Sequence, residues 1–129
     1  MFNEDKKIRI PKEFTLFGHT YTVVFDDTLF EKENCYGTAD DDLKQIKLQP
    51  TGAVRKKYVE GTIKQEIPLV ITDKVLAETF FHEMVHIMLD SLGESKLSTD
   101  EKFVNMMGKA MLEIYLSTVY EKDSKEKEV

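Results

Sequence analysis

Residues 82–86 read His-Glu-Met-Val-His, a spacing that suits a divalent metal site. In an α-helix, residues four positions apart are separated by about 40° and 6 Å, so His82 and His86 can approach one ion from one face. Zinc takes such nitrogen ligands at about 2.0–2.1 Å, and a catalytic site keeps one position for water. Coordination lowers the pKa of that water to about 7, and Glu83 is placed to act as its general base. The motif predicts two ligands and a base, and it needs a third protein ligand.

Two interpretations without catalysis compete with this one. The pattern could be a coincidence on a buried helix, with His82 and His86 as core histidines, or it could hold a purely structural metal. Glu83 is present in both cases, and the direction in which its side chain points depends on the fold. Only the second interpretation predicts bound metal, so the two can be separated by measurement.

Two residues can be set aside as the third ligand. Asp90 follows His86 by one turn, but on an unbroken helix it lies about 12 Å along the axis from His82, too far to share an ion. His19 follows Gly18 in a predicted turn, where an exposed histidine is the simpler interpretation. The third ligand is therefore expected from another element.

Glu101 is the preferred candidate, in the first turn of a second predicted helix that could fold back towards the metal. The same residue also fits a capping box, in which its carboxylate would accept a hydrogen bond from the backbone N–H of Ser98. The sequence pattern alone does not decide whether Glu101 is a metal ligand or part of a helix cap. Asp100 and Glu94 are the fallback ligands.

Composition restricts the other classes of function. The chain has 129 residues, the size of one ordinary domain. Its net charge of −6 gives no general attraction to nucleic acid or to anionic membranes. The single cysteine, Cys35, excludes an intramolecular disulfide framework and is typical of a reducing compartment. Without a secretory signal or an apolar stretch of about 20 residues, we expect a cytoplasmic protein that does not span a membrane.

The elements that must position the motif are strands followed by two helices. Alternating, β-branched segments predict two strands or one bent strand around Gly18, a hairpin from Tyr36 to Leu48, and a further hairpin from Val54 to Ile67. Pro68 then interrupts the pattern. A small sheet therefore precedes the metal motif.

The first helix is predicted from Lys74 to Leu92, with Thr72-Asp73 as its N-cap and Gly93 at its end. Apolar residues occupy nearly its whole circumference, so this helix must lie in the core. The motif is near its middle, which would place the metal deep in the domain, beside the sheet.

The second helix is predicted from Ser98 to about Tyr120. Gly108 in its interior should cost about 1 kcal/mol relative to alanine, which indicates a close approach of another backbone, expected to be that of the first helix. The predicted inward stripe consists of Phe103, Met107, Ala110, Met111 and Ile114, widened by Val104 and Leu112, with Met106, Met107 and Met111 as core filler. The charged residues 121–129 are predicted to be a disordered tail, leaving 1–120 as a single domain.

The segment from Phe80 to Gly108 resembles the zincin metallopeptidases, in particular the small bacterial, phage and mobile-element proteins of the ImmA/IrrE type. In that family the HExxH helix is followed by a glutamate on the next helix, in an E-x-x-A-like context. This chain has Glu101-Lys102-Phe103-Val104 there, with valine in place of the usual alanine and a shorter connection from the motif.

The resemblance implies His82, His86 and Glu101 as zinc ligands and Glu83 as the general base. The fold class it implies is α+β, zincin-like, with a small antiparallel or mixed sheet packed on the HExxH helix and on a second long C-terminal helix. In zincins, an edge strand near the metal binds the substrate in extended form, and residues 36–48 are the corresponding place here.

The predicted activity is zinc-dependent hydrolysis of a peptide bond in a protein substrate, with Glu83 activating zinc-bound water. Tyr36, Tyr58 and Tyr115 are unranked candidates for stabilising the oxyanion that develops. The rival from another class is a catalytically silent, metal-stabilised binding module of phage or mobile-element origin. Hydrolysis that disappears in Glu83→Gln while metal stays bound would exclude this rival.

Overall fold

The computed structural model describes residues 8–50, 54–68 and 71–119, which form strands and helices of an α+β fold. The elements are β1 (Glu13–Leu16), β2 (His19–Phe25), α1 (Leu29–Glu33), β3 (Gly37–Asp40), β4 (Gln45–Leu48), β5 (Val54–Val59), β6 (Thr62–Pro68), α2 (Asp73–Ser91), α3 (Ser95–Ser98) and α4 (Glu101–Ser117). The predicted class, a small mixed sheet with helices, is confirmed. No helix within the described ranges is both long enough and apolar enough to cross a membrane.

The two hairpins of the larger sheet agree with the sequence prediction. β1 and β2 turn at Phe17 and Gly18, whose φ angles of 51° and 80° are both positive. Positive φ at both central residues is typical of a type I′ turn, whose twist matches that of the strands it joins. β3 and β4 pair antiparallel around the acidic turn that begins at Asp41.

The larger sheet has the strand order β1-β2-β4-β3. The two hairpins are joined by parallel pairing of β2 with β4, for example Val23 with Ile46. This pairing leaves β3 at the edge of the sheet, although β3 precedes β4 in the chain. The hairpin predicted from Val54 to Ile67 forms a separate two-stranded sheet, and its second strand continues to Pro68.

Helix α2 is shifted by one residue at each end from its predicted bounds. Thr72 caps it as predicted, because its hydroxyl oxygen accepts a hydrogen bond from the Val75 backbone N–H at 3.1 Å. Gly93, with a φ of 77°, follows the end of the helix. The apolar face of α2 packs on the sheet, and the main core consists of Tyr21, Val23, Ile46, Leu48, Phe80 and Ile87.

The predicted start of the last helix at Ser98 is wrong. Ser98 ends the short helix α3, which occupies the predicted loop, and α4 begins at Glu101 with Asp100 as its N-cap. The Asp100 carboxylate accepts a hydrogen bond from the Phe103 backbone N–H at 3.1 Å. The helix ends at Ser117, and both its predicted end at Tyr120 and the predicted tail lie outside the described residues.

The predicted inward stripe of α4 is also partly wrong. The buried residues are Val104, Gly108, Leu112 and Leu116. Met106, Met107 and Ile114, which the apolar pattern placed inside or used as core filler, are exposed. The apolar residues of α4 form one wide arc, and α2 covers only the edge where Val104 and Leu112 lie, so the centre of the arc stays exposed.

Candidate metal centre

His82, His86 and Glu101 converge at one point between α2 and the start of α4. One ligand atom from each lies within 4.8 Å of the other two. The Glu101 carboxylate bridges the two rings, with Oε2 at 3.1 Å from His82 Nε2 and Oε1 at 3.3 Å from His86 Nε2. The two Nε2 atoms are themselves 3.3 Å apart. All three residues named by the sequence analysis as ligands are therefore brought together.

These separations fit a tetrahedral metal ion. Two ligands at about 2.05 Å from a tetrahedral zinc ion lie about 3.3 Å from each other. The two Nε2 atoms are separated by this distance, 3.3 Å, and each lies 3.1 or 3.3 Å from a different oxygen of the Glu101 carboxylate. Two imidazoles and a carboxylate, with one position left open, are a donor set that suits zinc.

The approach of α4 to α2 depends on Gly108. A Cβ atom built at this position would lie 3.1 Å from both Cα and N of His82. Any larger residue would therefore press on the backbone of the first histidine of the motif. The predicted close contact of Gly108 with the first helix is confirmed, and it brings the start of α4 to the histidines.

The capping box that competed with the ligand interpretation of Glu101 does not form. The backbone N–H of Ser98 donates instead to the carbonyl oxygen of Glu94 at 3.0 Å. The Glu101 side chain is 61% exposed and turns towards the two histidines. Its conformation is therefore explained by the histidines rather than by a helix cap.

Polar side chains lie beside both histidines. The hydroxyl of buried Ser98 lies 2.9 Å from His86 Nδ1, and Asn105 lines a depression together with His82, whose pKa it raises. Such partners hold the ring orientation of a metal-binding histidine. Neither Ser98 nor Asn105 was predicted from the sequence to lie beside the histidines. The position of Asn105 could have been predicted, because it follows Glu101 by one helical turn and lies on the same face of the helix.

Glu83 is buried beside this cluster, with 7% of its surface exposed. Burial and the nearby charge of Glu101 raise the pKa of Glu83 to about 7. Burial and the neighbouring His86 ring lower the pKa of His82, against the opposite effect of Glu101 and Asn105. The cluster thus gathers ring nitrogens and carboxylate oxygens, the groups that a divalent cation would hold together.

Two adjoining depressions of about 340 and 440 Å³ border the cluster, and both include His82 and Glu83. Edge strand β3 forms part of the wall of both. It packs closely on α2, because a Cβ atom at Gly37 would lie 2.6 Å from Thr79 Cγ2 and 3.1 Å from Glu83 Cγ. The depressions therefore form a cleft between α2 and the free edge of the sheet.

The remaining ligand candidates are outside the cluster. Asp90 lines the wider depression but is not one of the three convergent residues. His19 is exposed at the start of β2, and Glu94 is exposed before α3. Asp100 caps α4 with its carboxylate. None of these four residues takes the third position.

The candidate oxyanion residues differ in their positions. Tyr36 lines the narrower depression, where its ring lies 5.2 Å from that of Phe30. Tyr115 packs with the apolar cluster around Leu112. The side chain of Tyr58 lies outside the described part of the chain. Cys35 also lines the cleft, where burial raises the pKa of its thiol.

No protein-family model matches the chain, and no curated protein or solved structure matches it either. The function is therefore inferred from the geometry of the His82, His86 and Glu101 cluster and from the HExxH motif.

Proposed function

We propose that this protein is a zinc-dependent metallopeptidase with a zincin-like fold, which hydrolyses a peptide bond in a protein substrate. His82, His86 and Glu101 would hold the zinc ion, and Glu83 would act as the general base. The convergence of the three ligand atoms beside buried Glu83 is the observation that carries the proposal. The resemblance of residues 80–108 to the ImmA/IrrE-type peptidases supports the same assignment.

Bound zinc would supply a Lewis acid for the scissile carbonyl and would lower the pKa of water towards about 7. Glu83 would take a proton from this water at its carboxylate and later deliver it to the leaving amine. Burial raises the pKa of Glu83 in the metal-free site to about 7, and a bound zinc ion would lower it and favour the carboxylate form that accepts the proton. Ser98 and Asn105 would hold the two histidine rings in place.

The substrate would lie in the cleft as an extended strand beside β3. This strand is at the edge of its sheet, and its residues Gly37, Thr38 and Ala39 line the wider depression with the cluster. An extended peptide can add to such an edge through main-chain hydrogen bonds. The narrower depression would then receive one substrate side chain, with Val75, Thr79 and Tyr36 among its lining residues.

The first test is the bound-metal content of the purified protein, measured by elemental analysis after zinc supplementation. Wild type is expected to hold one equivalent of zinc, and Glu101→Ala much less. Glu94→Ala is the matched control, because it removes an exposed carboxylate near the site that contacts neither histidine. A folded wild-type protein without metal would contradict the proposal.

The second test is hydrolysis of fluorescently labelled casein by wild type and by Glu83→Gln. Loss of hydrolysis with retention of zinc in Glu83→Gln is the expected result, because the amide cannot accept the proton. Zinc binding without hydrolysis of casein or other unfolded proteins would instead support a metal-stabilised binding module.

A further inference from the structure

The outward side of α4 carries apolar side chains that the rest of the described chain leaves in solvent. Met106 is 60% exposed, Met107 39% and Ile114 65%. Ala110 is exposed as well, and Phe103 is half-buried. At about 100° per residue, these five positions form one continuous band along the helix, here called the α4 stripe. An exposed apolar surface of this kind marks a site of association.

The charged residues beside the α4 stripe indicate what binds there. Lys102 and Glu113 are exposed on the same flank of the stripe. Neither has an ion-pair partner among the described residues. They lie at nearly equal distances on either side of the level of Gly108. If a second α4 helix packs antiparallel across a two-fold axis at this level, each Lys102 faces the Glu113 of the other copy.

The apolar residues follow the same symmetry. Met106 and Ala110 are equally far from the level of Gly108, and Phe103 and Ile114 nearly so. An antiparallel second copy therefore places Phe103 against Ile114 and Met106 against Ala110. Such a surface is complementary to itself, which is the requirement for a two-fold dimer.

The chain itself offers a poorer partner for this surface. The segment that follows Val119 consists mostly of charged residues, so it does not match an apolar stripe. The opposite flank of α4, with Glu101 and Asn105, faces the metal centre. A second copy on the stripe would therefore leave the cleft open.

We propose that the α4 stripe mediates a homodimer in which two α4 helices pack antiparallel around a two-fold axis near Gly108. One helix face covers less than the about 800 Å² per partner of a standard interface. The dimer is therefore weak, and its population rises with protein concentration. This inference is independent of the metal centre and of any hydrolytic activity.

Sedimentation of the full chain over a wide concentration range tests the dimer. The mass is expected to rise from 15.0 kDa towards about twice that value. Ile114→Lys should keep the protein monomeric. Leu43→Lys is the matched control, because Leu43 is an equally exposed apolar residue, 69% accessible, on the β3–β4 turn. Circular dichroism shows whether each variant is folded.

Exchanging the charges of Lys102 and Glu113 tests the antiparallel packing of the two α4 helices. Lys102→Glu and Glu113→Lys each turn two attractions into two repulsions, so each should raise the dimer dissociation constant about tenfold. The double variant restores both pairs and should return the constant to that of the wild type. Lys96→Glu, the same charge change at an exposed position of α3, is the control. A wild-type monomer at every concentration, a dimer insensitive to Ile114→Lys, or a double variant no tighter than the singles would each overturn the proposal.

Discussion

At the scale of single residues, the proposed metal centre would depend on side chains that do not bind the ion. Ser98 lies beside Nδ1 of the His86 ring, and the Nε2 atoms of both rings lie within 3.3 Å of Glu101 oxygens. When Nε2 binds a metal, Nδ1 carries the ring hydrogen, and Ser98 Oγ can accept it. The His86 ring is therefore held in the orientation that metal binding would require.

Ser98→Ala should weaken zinc binding by about 10- to 100-fold, because the His86 ring loses the partner that orients it. Competition with a chelator of known affinity measures this change. Ser95→Ala, on the exposed start of the same short helix, should leave the affinity unchanged. Equal affinities for Ser98→Ala and wild type would show that the hydrogen bond to His86 does not contribute.

Gly108→Ala should destabilise the protein, although alanine normally favours a helix by about 1 kcal/mol. The added methyl group would lie 3.1 Å from the backbone of His82, which cannot move without displacing the motif. A net loss of about 1–3 kcal/mol in the free energy of unfolding is expected from such overpacking. Urea denaturation measures it, with Lys109→Ala as the control on the neighbouring exposed position. A stabilised Gly108→Ala variant would show that α4 is free to move away from α2.

At the scale of elements, a polar network joins the β3–β4 turn to the end of α2. Tyr21 is fully buried, and its hydroxyl donates to Asp41 Oδ1 at 2.8 Å and lies 3.0 Å from Ser91 Oγ. The Lys44 ammonium is 3.2 Å from the same Asp41 oxygen. This network connects the edge-strand hairpin to the helix that carries the motif, so it helps to set the width of the cleft.

The pH dependence of stability should reveal this network. The hydrogen bond from Tyr21 is the main cause that lowers the pKa of Asp41 below 3.8. A carboxyl whose pKa is lowered by folding contributes stability above its unfolded pKa, and this contribution is lost as pH falls through the folded pKa. Asp41→Asn should therefore be less stable than wild type at neutral pH, and the difference should shrink as the pH falls below about 3.9.

Urea denaturation at several pH values measures that difference. Asp42→Asn, in the same turn, is the control and should change the free energy of unfolding by less than about 0.5 kcal/mol. A destabilisation by Asp41→Asn that is the same at every pH would mean that the network stabilises through packing alone.

At the scale of the whole molecule, the proposed metal centre would connect the two long helices. His82 and His86 belong to α2, and Glu101 begins α4, so a bound ion would crosslink the helix on the sheet to the helix on its outer side. A ligand that binds only the folded state stabilises that state by mass action. Zinc should therefore act on global stability and not only on the cleft.

Saturating zinc, at about 100 times its dissociation constant, should add about 2.7 kcal/mol to the free energy of unfolding and about 10 °C to the Tm. Differential scanning fluorimetry with zinc, and again after addition of EDTA, measures the effect and its reversal. Glu101→Ala should remove most of the shift. A shift that persists in Glu101→Ala would place the binding site elsewhere in the chain.

Several features of this protein follow from the sequence alone, because they depend on neighbours in the chain. The four-residue spacing of His82 and His86 on a helix places both rings on one face. The N-cap at Thr72 and the close packing at Gly108 were predicted from local helix energetics, and the structure confirms both. The two hairpins of the larger sheet follow in the same way from their alternating patterns and turns.

Only the tertiary structure decided the remaining features. Ser98 and Asp100 are both good N-caps, and the choice of Asp100 depends on Ser98 being buried against His86, a residue distant in the chain. The parallel pairing of β2 with β4, which leaves β3 at the edge, is a contact between hairpins that no local pattern encodes. The buried side of α4 was likewise set by contact with α2, which covers one edge of the apolar arc of the helix and leaves its centre exposed.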